Sequence, residues 1–321
     1  MKAALSAIAV AIGMACGAAF APAFAQVFVN TAQQGSGNKS FVEQRESSDY
    51  ASVNVAQSGT DNVIGDPVFG ESGIVQIATV GRIDVKQEGK ANYATVLQDR
   101  ADRSDNRLLQ AGQGNVAAFR QDNVNSSQLD LQQRGSNNYA SLSQKDLPAF
   151  SVTARQTGSD NRIVTYQYFS GYGGPEIEQI GSANNVLIDQ ADAAYSFVNV
   201  YQAGNLNDAF VRQRSTTFTV DQSITQRGER NVARADESGE VNGSTIVQTG
   251  NENFASATST LNGSVSKITQ TGNYNRANVV QNGSTGWPAI GNFASITQTG
   301  NDFVADVLQN GAGNLAIINQ R

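Results

Sequence analysis

The chain has 321 residues, with 31 glycines, 5 prolines, one cysteine and no histidine. Its formal net charge of -6 should repel the phosphates of nucleic acids, so no nucleic-acid partner is expected. The lack of histidine excludes a histidine-dependent catalytic triad and the usual histidine-containing zinc sites.

Residues 1–25 have the pattern of a secretory signal peptide: a lysine near the start, an apolar run and an A-x-A site that ends at Ala25. We expect cleavage after Ala25 and secretion of a mature chain that begins at Gln26. The single cysteine, Cys16, lies in this leader, so the mature chain would hold neither a disulfide nor a thiol nucleophile. An uncleaved membrane anchor is the alternative, but the apolar run of residues 3–20 is shorter than the ~20 residues that a span needs.

Residues 26–321 repeat one pattern, Gln-x-Gly-x-x-Asn-x-Ala-x-x-x-Gln. The segment QRGSNNYASLSQ, which begins at Gln133, is one copy, and QAGNLNDAFVRQ, which begins at Gln202, is another. Further copies begin at Gln87, Gln110, Gln270 and Gln309. Over the middle of the chain the copies recur every 22 to 24 residues, and insertions at residues 65–72 and 284–290 interrupt the rhythm. No single copy contains catalytic chemistry, so the function must come from the repetition.

Apolar and polar residues alternate between the marked positions of each copy. Before the glycine of one copy, Leu129, Leu131 and Gln133 fall on one face; after it, Ala140 and Leu142 again share a face. Strict alternation over about seven residues predicts half-buried strands rather than a helix. The glycine after the first glutamine supplies the positive φ of a tight turn, so each copy is predicted to be strand, turn, strand, turn. These turn glycines are Gly89, Gly112, Gly135, Gly158, Gly181, Gly204, Gly228, Gly250 and Gly272.

A unit of two short strands cannot bury its apolar face alone, but stacked units can share one core. Inward glutamine and asparagine would each cost roughly 1–3 kcal/mol if unsatisfied, whereas in-register stacking lets each amide donate to one neighbour and accept from the other. The sequence therefore predicts an all-β, amyloid-like β-solenoid of about twelve strand-turn-strand repeats with two facing parallel sheets. The amides predicted to form this ladder are Gln87, Asn92, Gln98, Gln110, Asn115, Gln121, Gln133, Asn138, Gln144, Gln156, Asn161, Gln167, Gln202, Asn207, Gln213, Gln270, Asn275 and Gln281.

The repeat resembles that of curlin, the subunit of the curli fibres of bacteria. The curlin repeat is Ser-x5-Gln-x-Gly-x-x-Asn-x-Ala-x3-Gln, and the copies that begin at Ser127, Ser196 and Ser264 meet it in full. The resemblance covers nearly all of residues 26–321. It implies a secreted subunit that crosses the outer membrane unfolded and joins a cell-surface amyloid fibre, which serves adhesion and the biofilm matrix. The implied partners are further copies of the chain, a second curlin-like nucleator or subunit, and an outer-membrane secretion channel; no cofactor is implied.

Several copies depart from the curlin pattern. The departures are Ile64, Ile163 and Val186 at the alanine, Glu237 and Ser259 at the closing glutamine, and Phe303 at the asparagine. The chain also has more repeats than the best-known family members. These differences leave two roles open, the major subunit and the nucleator.

Neither predicted terminal strand carries a recognisable cap. The first is predicted at residues 27–33, directly after the cleavage site, and the last at residues 315–320. An uncapped solenoid leaves an unpaired strand edge at each end, which is a hazard in a monomer and a binding surface in a fibre subunit. We therefore expect the terminal turns to stack on neighbouring copies and to continue the ladder.

An enzyme built on a parallel β-helix and acting on polysaccharide is the main alternative from a different class. It would need carboxylates that converge on one face across neighbouring turns. Asp99, Asp102 and Asp105 lie together, but in a polar turn that gives no reason to pair them. The sequence therefore predicts a protein that is not an enzyme and holds no metal or cofactor.

Two further alternatives concern the state of the chain. A chain rich in Gln, Asn, Gly and Ser can be a disordered low-complexity tract, but disorder requires neither fixed spacing nor Val, Ile and Leu at alternate positions. A monomeric β-solenoid adhesin is expected to carry a polar cap or an anchor domain, and the sequence shows neither pattern.

Overall fold

The computed structural model describes residues 28–45, 50–65, 73–216, 220–260, 262–282 and 291–321. The predicted signal peptide with its cleavage site at Ala25 lies outside the described residues. So do residues 66–72 of the first predicted insertion and all of the second, residues 284–290.

Every regular element in the described ranges is a β-strand. The alternation of apolar and polar residues explains this, since it suits a strand with one buried face. The strands are β1 Phe28–Ser36, β2 Lys39–Ser40, β3 Val42–Arg45, β4 Ser52–Thr60, β5 Val63–Ile64, β6 Ile74–Ile77, β7 Val80–Lys90, β8 Tyr93–Gln113, β9 Val116–Asn125, β10 Gln128–Ser136, β11 Tyr139–Pro148, β12 Ser151–Ser159, β13 Arg162–Tyr168, β14 Gly173–Ser182, β15 Asn185–Ala193, β16 Ser196–Asn205, β17 Asp208–Thr216, β18 Val220–Glu229, β19 Val232–Ser238, β20 Gly243–Thr249, β21 Phe254–Thr260, β22 Val265–Thr271, β23 Arg276–Asn282, β24 Phe293–Thr299, β25 Val304–Asn310 and β26 Leu315–Gln320.

The strands form two stacks in which all pairings are parallel. The first sheet consists of β1, β4, β7, the end of β8, and the even-numbered strands from β10 to β26. The second sheet consists of β2 with β3, β5 with β6, the start of β8, β9, and the odd-numbered strands from β11 to β25. The chain therefore winds through about twelve turns, as a β-solenoid does, and the predicted fold class is confirmed.

The core between the sheets is narrow and aliphatic. In one turn Leu129 and Leu131 of the first sheet and Ala140 and Leu142 of the second are all fully buried. The burial of a leucine or isoleucine contributes roughly 1.5–3 kcal/mol. A smaller cluster, Ala101, Val124, Leu147 and Phe150, lies apart from this main core. Because each turn packs mainly on the turns before and after it, the core is a continuous column and not a central globule.

The glycines predicted for the turns have a second reason to be glycine. Gly135 has the expected positive φ of 118°, but it also lies within a paired strand, with Gly158 as its partner in the next turn. A Cβ on Gly135 would lie 2.0 Å from the carbonyl oxygen of Gly158. Stacked turns therefore approach so closely at this corner that no side chain fits between them.

The structure differs from the simple strand-turn-strand prediction in two places. Strand β8 runs for 21 residues without interruption and belongs to both sheets, because the corner around Arg100 and Arg103 remains paired with its neighbours. The repeat copy that was assigned to begin at Gln309 is half a turn out of phase. Its first glutamine pairs with Gln281 of the second sheet, and its last, Gln320, pairs with Gln298 of the first. The assignment of Gln309 as a first glutamine is therefore wrong, because the two halves of a turn carry nearly the same pattern there.

Candidate functional site: three amide columns and two open edges

The first glutamines of the repeat form one continuous column, the first glutamine column. Each Nε2 donates to the Oε1 of the glutamine in the following turn, at 2.6 to 2.9 Å. Parallel pairing fixes this geometry because it places identical residues directly above one another. The members are Gln33, Gln57, Gln87, Gln110, Gln133, Gln156, Gln179, Gln202, Gln226, Gln248, Gln270, Gln298 and Gln320.

The second proton of these amides is also used. Gln133 donates it to the backbone carbonyl of Val116 at 3.1 Å, and Gln156 donates to Tyr139 in the same way. Both side chains are almost completely buried. Each amide therefore satisfies its donors and its acceptor, so its burial avoids the cost of an unpaired polar group.

The asparagines form a second column, the asparagine column. Each Nδ2 donates to the Oδ1 of the preceding asparagine at 2.9 to 3.1 Å. Asn138 uses its other proton for the carbonyl of Gly158, at 2.9 Å, so the asparagine and glycine positions of the repeat are coupled. Phe303 takes the place of the next asparagine, so only its backbone N–H donates to the Oδ1 of Asn275. The members are Asn38, Asn62, Asn92, Asn115, Asn138, Asn161, Asn184, Asn207, Asn231, Asn253 and Asn275.

The closing glutamines form a third column, the second glutamine column, and it is interrupted. Its bonds measure 2.6 to 3.1 Å through two stretches, which flank Glu237 and Ser259. The members are Gln44, Gln76, Gln98, Gln121, Gln144, Gln167, Gln190 and Gln213, followed after the interruption by Gln281 and Gln309. Every amide predicted for the ladder therefore lies in one of the three columns.

The interruption creates a buried polar compartment. Glu237 is fully buried, and Ser244 of the facing sheet donates a short hydrogen bond from Oγ to its Oε1. Burial raises the pKa of the Glu237 carboxyl to about 7; the hydrogen bond from Ser244 and the nearby amide of Gln222 oppose the rise, and the charge of Asp236 adds to it. The sequence marked Glu237 and Ser259 only as departures from a repeat. Polar residues at the first-sheet position that usually holds leucine or valine were the signal for this compartment.

The solenoid is open at both described ends. Val29 of β1 is 41% exposed, whereas Val53, its partner in the next turn, is fully buried. At the other end Ala316 and Ile318 of β26 are only partly buried, and they line an open groove with residues of β25. In the described ranges β1 pairs only with β4, and β26 only with β24.

The remaining charged groups lie on the surface. Asp99 and Asp102, from the aspartate group considered for an enzyme, lie beside Arg100 and Arg103 at 3.6 and 3.2 Å. Exposed ion pairs of this kind contribute about 0–1 kcal/mol. Within the described ranges no three acidic residues are grouped so that they could hold a metal ion. Nor does any helix there have the length and apolar character of a membrane span.

Fold and columns together define the class of the protein, a parallel β-solenoid whose turns are joined internally by side-chain amides. No protein-family model matches the chain, and no curated protein matches it.

Proposed function

We propose that the chain is a curlin-like structural subunit of an extracellular amyloid fibre, which grows when the terminal turns of secreted copies stack on one another. The observation that carries this proposal is the first glutamine column, which runs from Gln33 in the first described strand to Gln320 in the last. Because the column reaches both described ends of the solenoid, another copy of the chain can extend it at either end.

The two ends of this column are chemically complementary. Gln320 donates one Nε2 proton to the carbonyl of Val304 at 3.0 Å, and its other proton has no acceptor among the described residues. The Oε1 of Gln33 likewise accepts no hydrogen bond within the described ranges. If β1 of one copy stacks on β26 of another, Gln320 can donate to Gln33 as each glutamine does inside the chain. All internal pairings are parallel, so the backbone can continue the same pattern across the junction.

Apolar burial favours the same junction. Ala294 and Ile296 of β24 are fully buried, whereas their partners Ala316 and Ile318 are covered on one side only. A further turn on β26 would bury these two side chains. An edge that offers both unpaired strand groups and open core is a site for strand addition.

Purified chain from Gln26 onward, diluted out of denaturant, tests the proposal. We expect fibres that bind an amyloid dye and give X-ray reflections at about 4.8 Å along the fibre axis and about 10 Å across it. A chain that folds and stays monomeric at high concentration would contradict the proposal.

The structure also offers an observation in favour of a second candidate, a monomeric β-solenoid adhesin. Tyr172 and Tyr195 stack across neighbouring turns, with ring centroids 5.2 Å apart, and each is about half exposed. Tyr168 and Phe169, at the start of the connection from β13 to β14 that also holds Tyr172, form another exposed pair. Stacked exposed rings suit adhesion to a surface with or without a fibre, so the assembly experiment separates the two candidates.

A further inference from the structure

The second glutamine column is interrupted at Glu237 and Ser259, between Gln213 and Gln281. A member of this column must accept a hydrogen bond on one side and donate one on the other. An ionised carboxylate only accepts, whereas a protonated carboxyl group has both an acceptor and a donor. Glu237 can therefore replace a glutamine in hydrogen bonding only in its protonated form.

The surroundings of Glu237 are more polar than those of most turns. Where other turns hold Leu129 or Val152, the first sheet presents Gln222 and Ser244 to the carboxyl group. We call Gln222, Glu237 and Ser244 the Glu237 compartment. All three side chains are at most 1% exposed.

The hydrogen bonds of the Glu237 compartment are incomplete without an additional proton. Ser244 occupies Oε1 of Glu237, while Oε2 has no partner among the described residues. Both amide atoms of Gln222 also lack a partner there. Gln222 lies near enough to influence the carboxyl group, although the two do not meet the geometry of a full hydrogen bond. A proton on Oε2 would supply the missing donor.

Among the described residues no cation compensates an ionised Glu237. The nearest charge that acts on it is Asp236, which points outward and pairs with Arg212. Strands β20 and β21 carry no charged residue. The other charged groups on the packed strands lie at partly or fully exposed positions: Asp208 and Arg214 on β17, Asp221, Arg227 and Glu229 on β18, and Arg234 on β19.

We propose that the Glu237 compartment is a proton-operated joint: the turns from β17 to β22 close when the Glu237 side chain is protonated and open when it is ionised. Each turn of a solenoid packs mainly on its neighbours, so opening here separates the turns before β17 from those after β22. The strands on either side keep uninterrupted glutamine bonds and are not opened by the same ionisation.

The direction of the pH effect follows from the raised pKa. The carboxyl group has a pKa of about 7 in the folded chain, against 4.5 when it is free. Its contribution to stability is complete below pH 4.5 and is lost as the pH rises through about 7. The opening constant of β17–β22 should therefore increase by roughly two orders of magnitude over this range.

Hydrogen exchange on the full mature chain, read by mass spectrometry and corrected for intrinsic rates, tests the joint. Between about pH 5 and about pH 8.5 we expect protection of β17–β22 to fall roughly 100-fold relative to β9–β15 in the same molecules. Glu237→Gln should keep protection high at both pH values. The matched control Glu252→Gln, an exposed carboxyl group, should behave as the wild type.

Equal protection of β17–β22 at both pH values in the wild type, or an unchanged pH dependence in Glu237→Gln, would overturn the proposal. Infrared spectroscopy of the wild type gives a second readout that needs no variant to fold. A protonated-carboxyl band that titrates near neutral pH supports the joint, and its absence at mildly acidic pH contradicts it.

Discussion

The Nε2 of Gln57 donates to the Oε1 of Gln87 at 2.7 Å although the two residues are 30 positions apart in the chain. Gln110 and Gln133, which are 23 positions apart, form the same bond at 2.9 Å. The register is therefore set by stacking of equivalent residues and not by the length of the connection between them.

A deletion in the first long connection tests this independence. In the second sheet a single residue, Phe41, separates β2 from β3, and a single residue, Thr95, lies at the equivalent place in β8. The solenoid turn that stacks between these two has residues 65–73 at that place, between β5 and β6. Removal of residues 66–73 would leave Gly65 alone opposite Phe41 and Thr95. We expect the guanidinium midpoint and the fibre lag time to stay near wild-type values.

Deletion of Ser141 alone is the contrasting variant. It shifts the remainder of β11 by one residue, which moves the buried Leu142 to the outer face. We expect a large loss of stability from this single deletion. Equal damage from both deletions would show that the long connection itself positions the strands.

Gln133→Ala should destabilise the solenoid because three partners lose a bond at once. Gln110 loses its hydrogen-bond acceptor, and the Oε1 of Gln156 and the carbonyl oxygen of Val116 each lose a hydrogen-bond donor. We expect the free energy of unfolding to fall by roughly 1–3 kcal/mol. Gln132→Ala, at the neighbouring half-buried outward position, is the matched control and should change it by less than ~0.5 kcal/mol. Denaturant titration of the two variants side by side measures both, and equal losses would remove the column's role in stability.

Three glycine variants separate close backbone approach from a positive φ. Gly135→Ala meets both problems, with a φ of 118° and a carbonyl oxygen 2.0 Å from the new Cβ. Gly311→Ala keeps the positive φ of 92° but has open space around it, and Gly243→Ala has neither difficulty, with its nearest atom at 3.5 Å. We expect a loss of stability in the order Gly135 > Gly311 > Gly243, with Gly311→Ala costing about 1–2 kcal/mol. Thermal unfolding midpoints test the order; similar losses at Gly135 and Gly311 would mean that φ alone matters.

The sequence predicted the columns well because their signal is local. A fixed spacing of amides together with alternating apolar residues indicates stacked strands, and the last strand, β26, has the predicted bounds. The second role of Gly135 was not visible in the sequence, because it depends on how closely successive turns approach. The partners of Glu237 were missed for a similar reason. Gln222 and Ser244 reach it from the facing sheet, and one repeat read alone does not show which residues oppose each other.

Two adjacent residues of β26 test growth by stacking at the last strand. Ile318 points inward at the open end of the core, while its neighbour Ile317 points outward and is 60% exposed. Ile318→Lys would place a charge in every junction between β26 of one copy and β1 of the next, so we expect seeded elongation to stop at both fibre ends. Ile317→Lys is the matched control, with the same charge on the outer face, and should still elongate. Fluorescence microscopy of single fibres measures both rates. Continued growth of Ile318→Lys at either fibre end would contradict the proposed junction.

Restoration of the second glutamine column should stabilise the chain more at alkaline than at acidic pH. In the double variant Glu237→Gln, Ser259→Gln, amides occupy both interrupted positions between Gln213 and Gln281, and the buried carboxyl group at position 237 is gone. The wild type loses stability as the pH rises through the Glu237 pKa of about 7, whereas the double variant does not. A shift from 4.5 to about 7 corresponds to roughly 3 kcal/mol, so the advantage of the variant should grow by about this amount between acidic and alkaline pH. Guanidinium unfolding of both chains at about pH 4 and about pH 8.5 measures the difference. A constant advantage at all pH values would show that the variant gains only from packing and amide bonds, and that the pKa of Glu237 is the same in the folded and the unfolded chain.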